Sequence, residues 1–267
     1  MIRYALMFAD RNYTEWKAQC IDALLAVEGA AVVAVIRPHK GSGDTGPKHS
    51  SGGAAWKLLR KAELFVHRPR AWLPRDLPEQ VASVPEMDCT FVPNDTFGFR
   101  IAEDDLRAIE ALDLDFILAF LDYNILRGPV LEAPRYGIWS FHHGDPVRYR
   151  GAPPAVWEIY DGAPRTGAVL QRLTDRLDAG IILRRNDYPT VRHSFYWNSD
   201  NIHFKAAPWP AEICRELVAG DVELLSGPPL TTDAPIRRAP NNRQALRLGL
   251  VLLWNNLAWI AGAWRRR

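Results

Sequence analysis

The feature that most restricts this chain is an alternation of short apolar runs with stretches of helical spacing. Tyr4-Ala5-Leu6-Met7-Phe8 is a five-residue apolar run that stops at Ala9-Asp10, the signature of a strand buried on both faces. Trp16 to Val27 follows with Cys20, Leu24 and Val27 at helical spacing. Ala31-Val32-Val33-Ala34-Val35-Ile36 is β-rich and ends before Arg37-Pro38. A strand, a helix and a second strand in this order predict an α/β sheet with a right-handed crossover.

The alternation resumes downstream. Ala55 to Phe65 reads as a helix, a proline-dense connector runs from Pro69 to Pro78, and a short strand is expected near Cys89 to Val92. Glu103 to Leu112 is a helix whose first turn carries Asp104 and Asp105 near its positive end. Phe116 to Leu121 is a buried strand, Leu126 to Leu131 a short helix, and Gly137-Ile138-Trp139-Ser140-Phe141 another strand. Leu173 to Leu183 holds a turn between apolar flanks. Beyond Thr190 the pattern loosens, apart from a helix from Ala211 to Val218. The Gly/Ser-rich stretch from Gly41 to Gly53 reads as a loop, and without a following Gly-Lys-[Ser/Thr] it is no phosphate loop.

Composition excludes several classes. A net charge of +2 over 267 residues gives no global field for nucleic acid. Cys20, Cys89 and Cys214 are far apart, with neither the spacing of a zinc ribbon nor an even count for a disulfide framework. The opening apolar run is too short for a signal peptide, so the reading is cytoplasmic.

The chemistry concentrates between residues 137 and 180. His142 follows a strand, where open α/β sheets hold their ligands. After it come His143-Gly144-Asp145-Pro146-Val147-Arg148-Tyr149-Arg150-Gly151-Ala152-Pro153-Pro154, a stiff polar loop. Asp175-Arg176-Leu177-Asp178-Ala179-Gly180 supplies carboxylates from a second turn. Ser140-Phe141-His142, then Arg150-Gly151-Ala152-Pro153-Pro154, then Leu177-Asp178-Ala179-Gly180 resemble, in order and spacing, the N10-formyltetrahydrofolate-dependent formyltransferase family. Its signature is Asn-x-His, [Arg/Lys]-Gly-x-x-Pro and Leu-Asp-x-Gly. Asp115-Phe116-Ile117-Leu118-Ala119 resembles its Asp-led buried strand, and Ile125-Leu126 its folate-lining pair. The resemblance covers roughly residues 1 to 190.

The resemblance implies a Rossmann-like formyltransferase fold with a mostly parallel sheet over residues 1–190. An extension over 191–242 and an amphipathic terminal helix over 243–267 complete the expected layout. It implies N10-formyltetrahydrofolate as donor, no metal, and catalysis by His142, Asp178 and Ser140. His142 would donate to the oxyanion and assist proton movement, while Asp178 would orient its imidazole. Tyr123, Asn124, Ile125 and Leu126 would contact the carrier. His143, Asp145 and Arg150 would face a small-molecule amine acceptor, an amino sugar or a lipid-linked one. Three positions depart from the family: Ser140 stands for its asparagine, Gly144-Asp145-Pro146-Val147 for its Ser-Leu-Leu-Pro, and Tyr123 or Asn124 for a glycine.

Other readings stay open on the same residues. His143 and Asp145 form a potential metal pair, but no third ligand lies at a diagnostic spacing. Arg150 and Arg148 also suit a solvated loop face, and Trp139 and Trp157 suit either packing or ring stacking. Water in place of the amine would give a formyltetrahydrofolate hydrolase, a family that also carries a double histidine here. A scaffold that binds without turning over is the non-enzymatic alternative. Transfer to a charged tRNA is disfavoured, because no basic RNA-binding domain is recognisable after the core.

The tail carries its own signal. Leu246, Leu250, Leu253, Leu257, Ile260 and Trp264 fall on one helical stripe. Arg247, Asn255 and Asn256 make insertion across a bilayer costly. Residues 245–267 would therefore lie on a membrane surface at its inner face, or dock on the core or a partner subunit, with crossing the bilayer the least favoured alternative.

Overall fold

The computed structural model describes residues 1–9, 12–39, 52–93, 98–121, 125–175 and 180–264. In chain order the elements are β1 (Ile2–Phe8), α1 (Glu15–Leu25), β2 (Ala30–Pro38), α2 (Ala54–His67), α3 (Glu79–Ala82), β3 (Glu86–Cys89), β4 (Phe91–Pro93), β5 (Phe99–Ile101), α4 (Glu103–Glu110), β6 (Phe116–Phe120), β7 (Ile138–His142), β8 (Arg150–Gly151), α5 (Trp157–Tyr160), β9 (Arg165–Arg172), β10 (Ile181–Pro189), α6 (Phe195–Ala206), α7 (Trp209–Val218), β11 (Ile236–Arg237) and α8 (Asn242–Trp264). A seven-stranded sheet runs β10-β9-β7-β6-β1-β2-β3. Strands β3, β2, β1, β6 and β7 are mutually parallel, and β9 pairs antiparallel with both β7 and β10.

The runs that read as doubly buried strands are the centre of this sheet. All five residues of β6 are buried, as are the last five of β1. Their alternate residues face two separate cores. Tyr4, Leu6, Phe8, Phe116, Leu118 and Phe120 pack on one side against α1, α6 and α7. Ala5, Met7, Ile117 and Ala119 pack on the other with Ile109 of α4 and the β4–β5 hairpin. From β1 the chain winds outward through β2 to β3, then returns to β6 and winds the other way. The strand order therefore reverses between β1 and β6, and the crevice of such a sheet opens at the carboxyl ends of those strands.

Several local expectations change. The short helix expected over Leu126–Leu131 is a 3-10 turn, Pro129–Glu132. Leu126 instead bridges to Phe99, because its 2%-exposed side chain completes the second core beside β5. The strand near Cys89 divides, β3 extending the main sheet and β4 pairing with β5. β9 and β10 were not legible, since Arg184, Arg185, Asn186 and Asp187 give the second of them no apolar run. α6 was missed as well. It buries Asn198, Ser199, Asp200 and His203, polar residues that hide a helix from a hydrophobicity pattern. The three cysteines are buried and unpaired. The stretch read as a Gly/Ser-rich loop lies mostly outside the described residues.

The terminal helix lies on the protein. Ala245, Leu248 and Leu252 join Trp56 of α2, Phe195 of α6, and Val156 and Ile159 in a third apolar cluster. Among the described residues, no helix is long and apolar enough to cross a membrane.

Candidate active site

Strand alternation divides the residues at the end of β7. Ser140 and His142 share a face with Ile138, which belongs to the α4-side core. Trp139 and Phe141 point into the opposite core. His143 follows them, its ring stacked on that of Phe141 at 5.4 Å and edge-on to Trp16 at 5.1 Å. The two neighbouring histidines therefore occupy different environments.

His142 is the last residue of β7 and is half-buried. Its Nε2 lies 3.2 Å from the carbonyl oxygen of Tyr149. A carbonyl only accepts, so Nε2 carries the hydrogen and a neutral ring presents the Nδ1 lone pair. The loop that supplies this carbonyl is shaped around the ring: a Cβ on Gly144 would stand 3.1 Å from the Tyr149 oxygen and 3.2 Å from His142 Nε2. Glycine fits where any side chain would crowd the imidazole. Ser140, 9% exposed, lies one pleat back and pairs in register with Ala119 and Gln171.

The acid expected from the second turn, Asp178, lies outside the described residues, as do Tyr123 and Asn124. The flanks of that turn are placed. The Gly128 N–H donates to Asp175 Oδ1 at 3.1 Å, and Arg127 donates to the Asp175 carbonyl. Gly180 sits where a Cβ would meet Gln171 Oε1 at 2.6 Å and the Arg172 carbonyl at 2.8 Å. Gln171, the register partner of Ser140, shares its face of the sheet. Gly180 thus lies against the side of the sheet that presents Ser140 and His142. The glycine of Leu-Asp-x-Gly follows from that close approach.

Other expected contacts have defined surroundings. Ile125 is half-buried, and its carbonyl accepts from the Phe99 N–H at 2.9 Å, so its side chain is what it has to offer a ligand. Asp145 Oδ1 accepts from Arg185 Nη2 at 3.0 Å and from the Val147 N–H at 3.1 Å, which fixes the loop onto β10. Arg150 donates to the Ala234 carbonyl at 3.1 Å beside the β8–β11 ladder. Trp139 is fully buried and stacked on Phe116 at 3.9 Å. Among the described residues, no cluster of three His, Cys, Asp or Glu side chains is arranged to hold a metal ion.

Two groups near the site escaped the sequence reading. His203 of α6 stacks on His143 and donates through Nδ1 to the Ser199 carbonyl at 2.7 Å. Burial lowers its pKa to about 4, and burial likewise holds His143 well below the ordinary histidine range. The His143 Nε2 is buried and has no hydrogen-bond partner among the described residues. Glu158 is 1% exposed, with Oε1 likewise unpartnered. Burial first, then the nearby Asp145 and Asp161 charges, raise its pKa to about 7, against the pull of Arg237. The alternation of β7 could have separated the two histidines, but nothing local marked His203 as a neighbour of His143 or Glu158 as a buried acid near Asp145.

No protein-family model matches the chain. It is 35% identical over 82 residues to a methionyl-tRNA formyltransferase of Prochlorococcus marinus, covering 30% of this chain and 24% of that protein. A methionyl-tRNA formyltransferase of Rickettsia massiliae is 27% identical over 119 residues, 45% of this chain and 38% of its own length. The chain thus spans between a quarter and two fifths of these relatives. Solved structures extend the likeness in fold. Glycinamide ribonucleotide transformylase 1 of Symbiobacterium toebii superposes with a TM-score of 0.51 at 16% identity, over 82% of this chain and 89% of that one. A formyltetrahydrofolate deformylase of Pseudomonas syringae gives 0.53 at 16%, over 87% and 66%. A sugar N-formyltransferase candidate of Mycobacterium tuberculosis gives 0.50 at 15%, over 89% and 75%. The chain has the Rossmann-like formyltransferase fold, and part of it is similar in sequence to methionyl-tRNA formyltransferases.

Proposed function

We propose that the chain transfers a formyl group from N10-formyltetrahydrofolate to an amine of a small-molecule acceptor, with an amino sugar as the acceptor class. The observation that carries this reading is the setting of His142. It stands at the carboxyl end of a sheet strand, with Nε2–H engaged by the Tyr149 carbonyl and Nδ1 left as the basic atom. A neutral imidazole fixed in this tautomer takes a proton from the attacking amine. Once charged, its Nδ1–H becomes a donor to the oxyanion that forms on the formyl carbon. The Ser140 hydroxyl, on the same face, is a second donor, shorter than an amide. The carboxylate of Asp178, in the motif Leu177-Asp178-Ala179-Gly180, would stabilise the imidazolium; the reading is supported by Gly180, two residues on, which lies against Gln171 of β9. Ile125 offers a half-buried side chain to the carrier. The methionyl-tRNA formyltransferase relatives support formyl transfer, and the sugar N-formyltransferase likeness supports the acceptor class.

Hydrolysis of the donor is the second reading, favoured by the deformylase likeness. The position of His143 weighs against a paired-histidine hydrolytic site, because its ring stacks in the opposite core. Incubation with N10-formyltetrahydrofolate, with and without nucleotide-linked amino sugars, separates the readings. Formylated sugar supports transfer, formate released without acceptor supports hydrolysis, and neither product leaves only a binding scaffold. His142→Ala is expected to abolish turnover with unchanged thermal stability. Near-normal rates in that variant would remove the mechanism.

A further inference from the structure

The apolar stripe expected on the terminal helix is the one that faces away from the protein. Leu246, Leu250, Leu253 and Leu257 are 66%, 69%, 58% and 56% exposed, while Ala245, Leu248 and Leu252 make the contact with the core. α8 is therefore apolar on two sides, and packing uses only one.

A neighbouring helix extends the outer surface. Leu59 of α2 lies under Gly249 of α8, where an added Cβ would be 3.9 Å from the leucine. Leu58, the residue before Leu59, and Phe65, two turns along from Leu58, are 70% and 81% exposed. Trp254, also on α8, is 73% exposed. Single exposed apolar residues need no explanation, but a two-helix surface of leucine, phenylalanine and tryptophan does.

The charges on the two helices select the occupant. α8 contains no Asp or Glu, and the one acid of α2, Glu63, is buried against Ser194 and His67. The exposed ionic side chains are Lys57, Arg60 and Lys61 of α2 and Arg243 and Arg247 of α8. Arg265, Arg266 and Arg267 follow in the sequence. A two-fold pairing of this face with a second copy would set those cations against their own images, with no carboxylate between them. A bilayer surface rich in anionic headgroups matches both the apolar stripe and the cations.

We propose that the outer face of α2 and α8 together rests on an anionic membrane surface, with Leu58, Phe65, Leu250, Leu253 and Leu257 entering the headgroup boundary. The protein lies on the bilayer and does not span it. Both helices form one platform, so the α2 residues contribute as well as the tail. The idea is independent of the reaction at His142.

Cosedimentation of the full chain with vesicles tests it. Binding is expected to phosphatidylglycerol-containing vesicles, to weaken as salt is raised, and to be nearly absent with pure phosphatidylcholine. Leu250→Glu with Leu257→Glu, and separately Phe65→Glu, should each lower the partition coefficient by about tenfold or more. Circular dichroism melts should match the parent, since none of these side chains is buried. No binding by the parent, or equal binding by variants that melt like it, would overturn the proposal. So would sedimentation equilibrium showing a dimer that these variants dissociate, with no vesicle binding.

Discussion

The imidazoles of His143 and His203 stack face to face, their centroids 3.5 Å apart and their planes 17° from parallel. Two cations could not share this geometry, and burial holds both rings neutral. With the folded pKa of His203 near 4 and an ordinary value near 6.5, the neutral pair contributes its full stability above pH 6.5. That contribution is lost as pH falls toward 4, by about 3 kcal/mol for His203 alone. His203→Phe keeps a flat ring on the stack and removes the titration. Denaturant midpoints measured from pH 7 to 4 should fall less steeply for this variant than for the parent.

Glu158 produces the opposite slope. Its folded pKa of about 7 lies above the usual 4.5, so the protein favours the protonated acid. Stability from this group is complete below pH 4.5 and declines as pH rises through 7, by about 3 kcal/mol in all. Glu158→Gln should flatten the curve between pH 5 and 8 and raise the thermal midpoint at pH 8 relative to the parent. A variant less stable than the parent at pH 8 would show that the carboxylate is needed charged.

Gly144→Ala tests the seat of His142. Its methyl would press on both the ring Nε2 and the Tyr149 carbonyl, so either the imidazole or the loop must move. The required shift is a few tenths of an ångström, well short of the displacement near 1 Å that costs up to about a hundredfold in rate. The expected result is a fall in kcat of roughly severalfold with a midpoint shift below about 1 kcal/mol. Unchanged kcat in a transfer assay would mean that the ring position is not set by this loop.

Asp145 is expected to matter for loop order more than for ligand contact. Asp145→Ala removes the acceptor of the Arg185 bond and of the Val147 N–H, at a cost of about 1 to 3 kcal/mol. The exposed Arg148, 3.7 Å away, adds little to this. Asp145→Asn should recover part of the loss, because an amide oxygen still accepts from Val147. Chemical denaturation of the three proteins measures the difference.

Much of this arrangement was legible along the chain, and the reasons are local. β1 and β6 are buried on both faces, and such strands advertise themselves as unbroken apolar runs. Ser140 and His142, two residues apart on a strand, necessarily share a face. The glycine that closes Leu-Asp-x-Gly was visible as a motif, although only the approach of Gln171 and Arg172 to Gly180 gives its reason.

Other features had no local cause and needed the packed protein. Asp200 of α6 accepts from the Arg70 and Ala71 N–H groups, 130 and 129 residues away, and so ties the proline-rich connector to a helix that polarity had concealed. The terminal helix shows the division most directly. Its sequence fixes two apolar stripes and the absence of acids, which follow from residue spacing alone. Which stripe turns inward depended on Trp56, Val156, Ile159 and Phe195, contributed by three distant segments. Spacing determines which side chains share a face, but shape and burial across the tertiary contact select the face that water keeps.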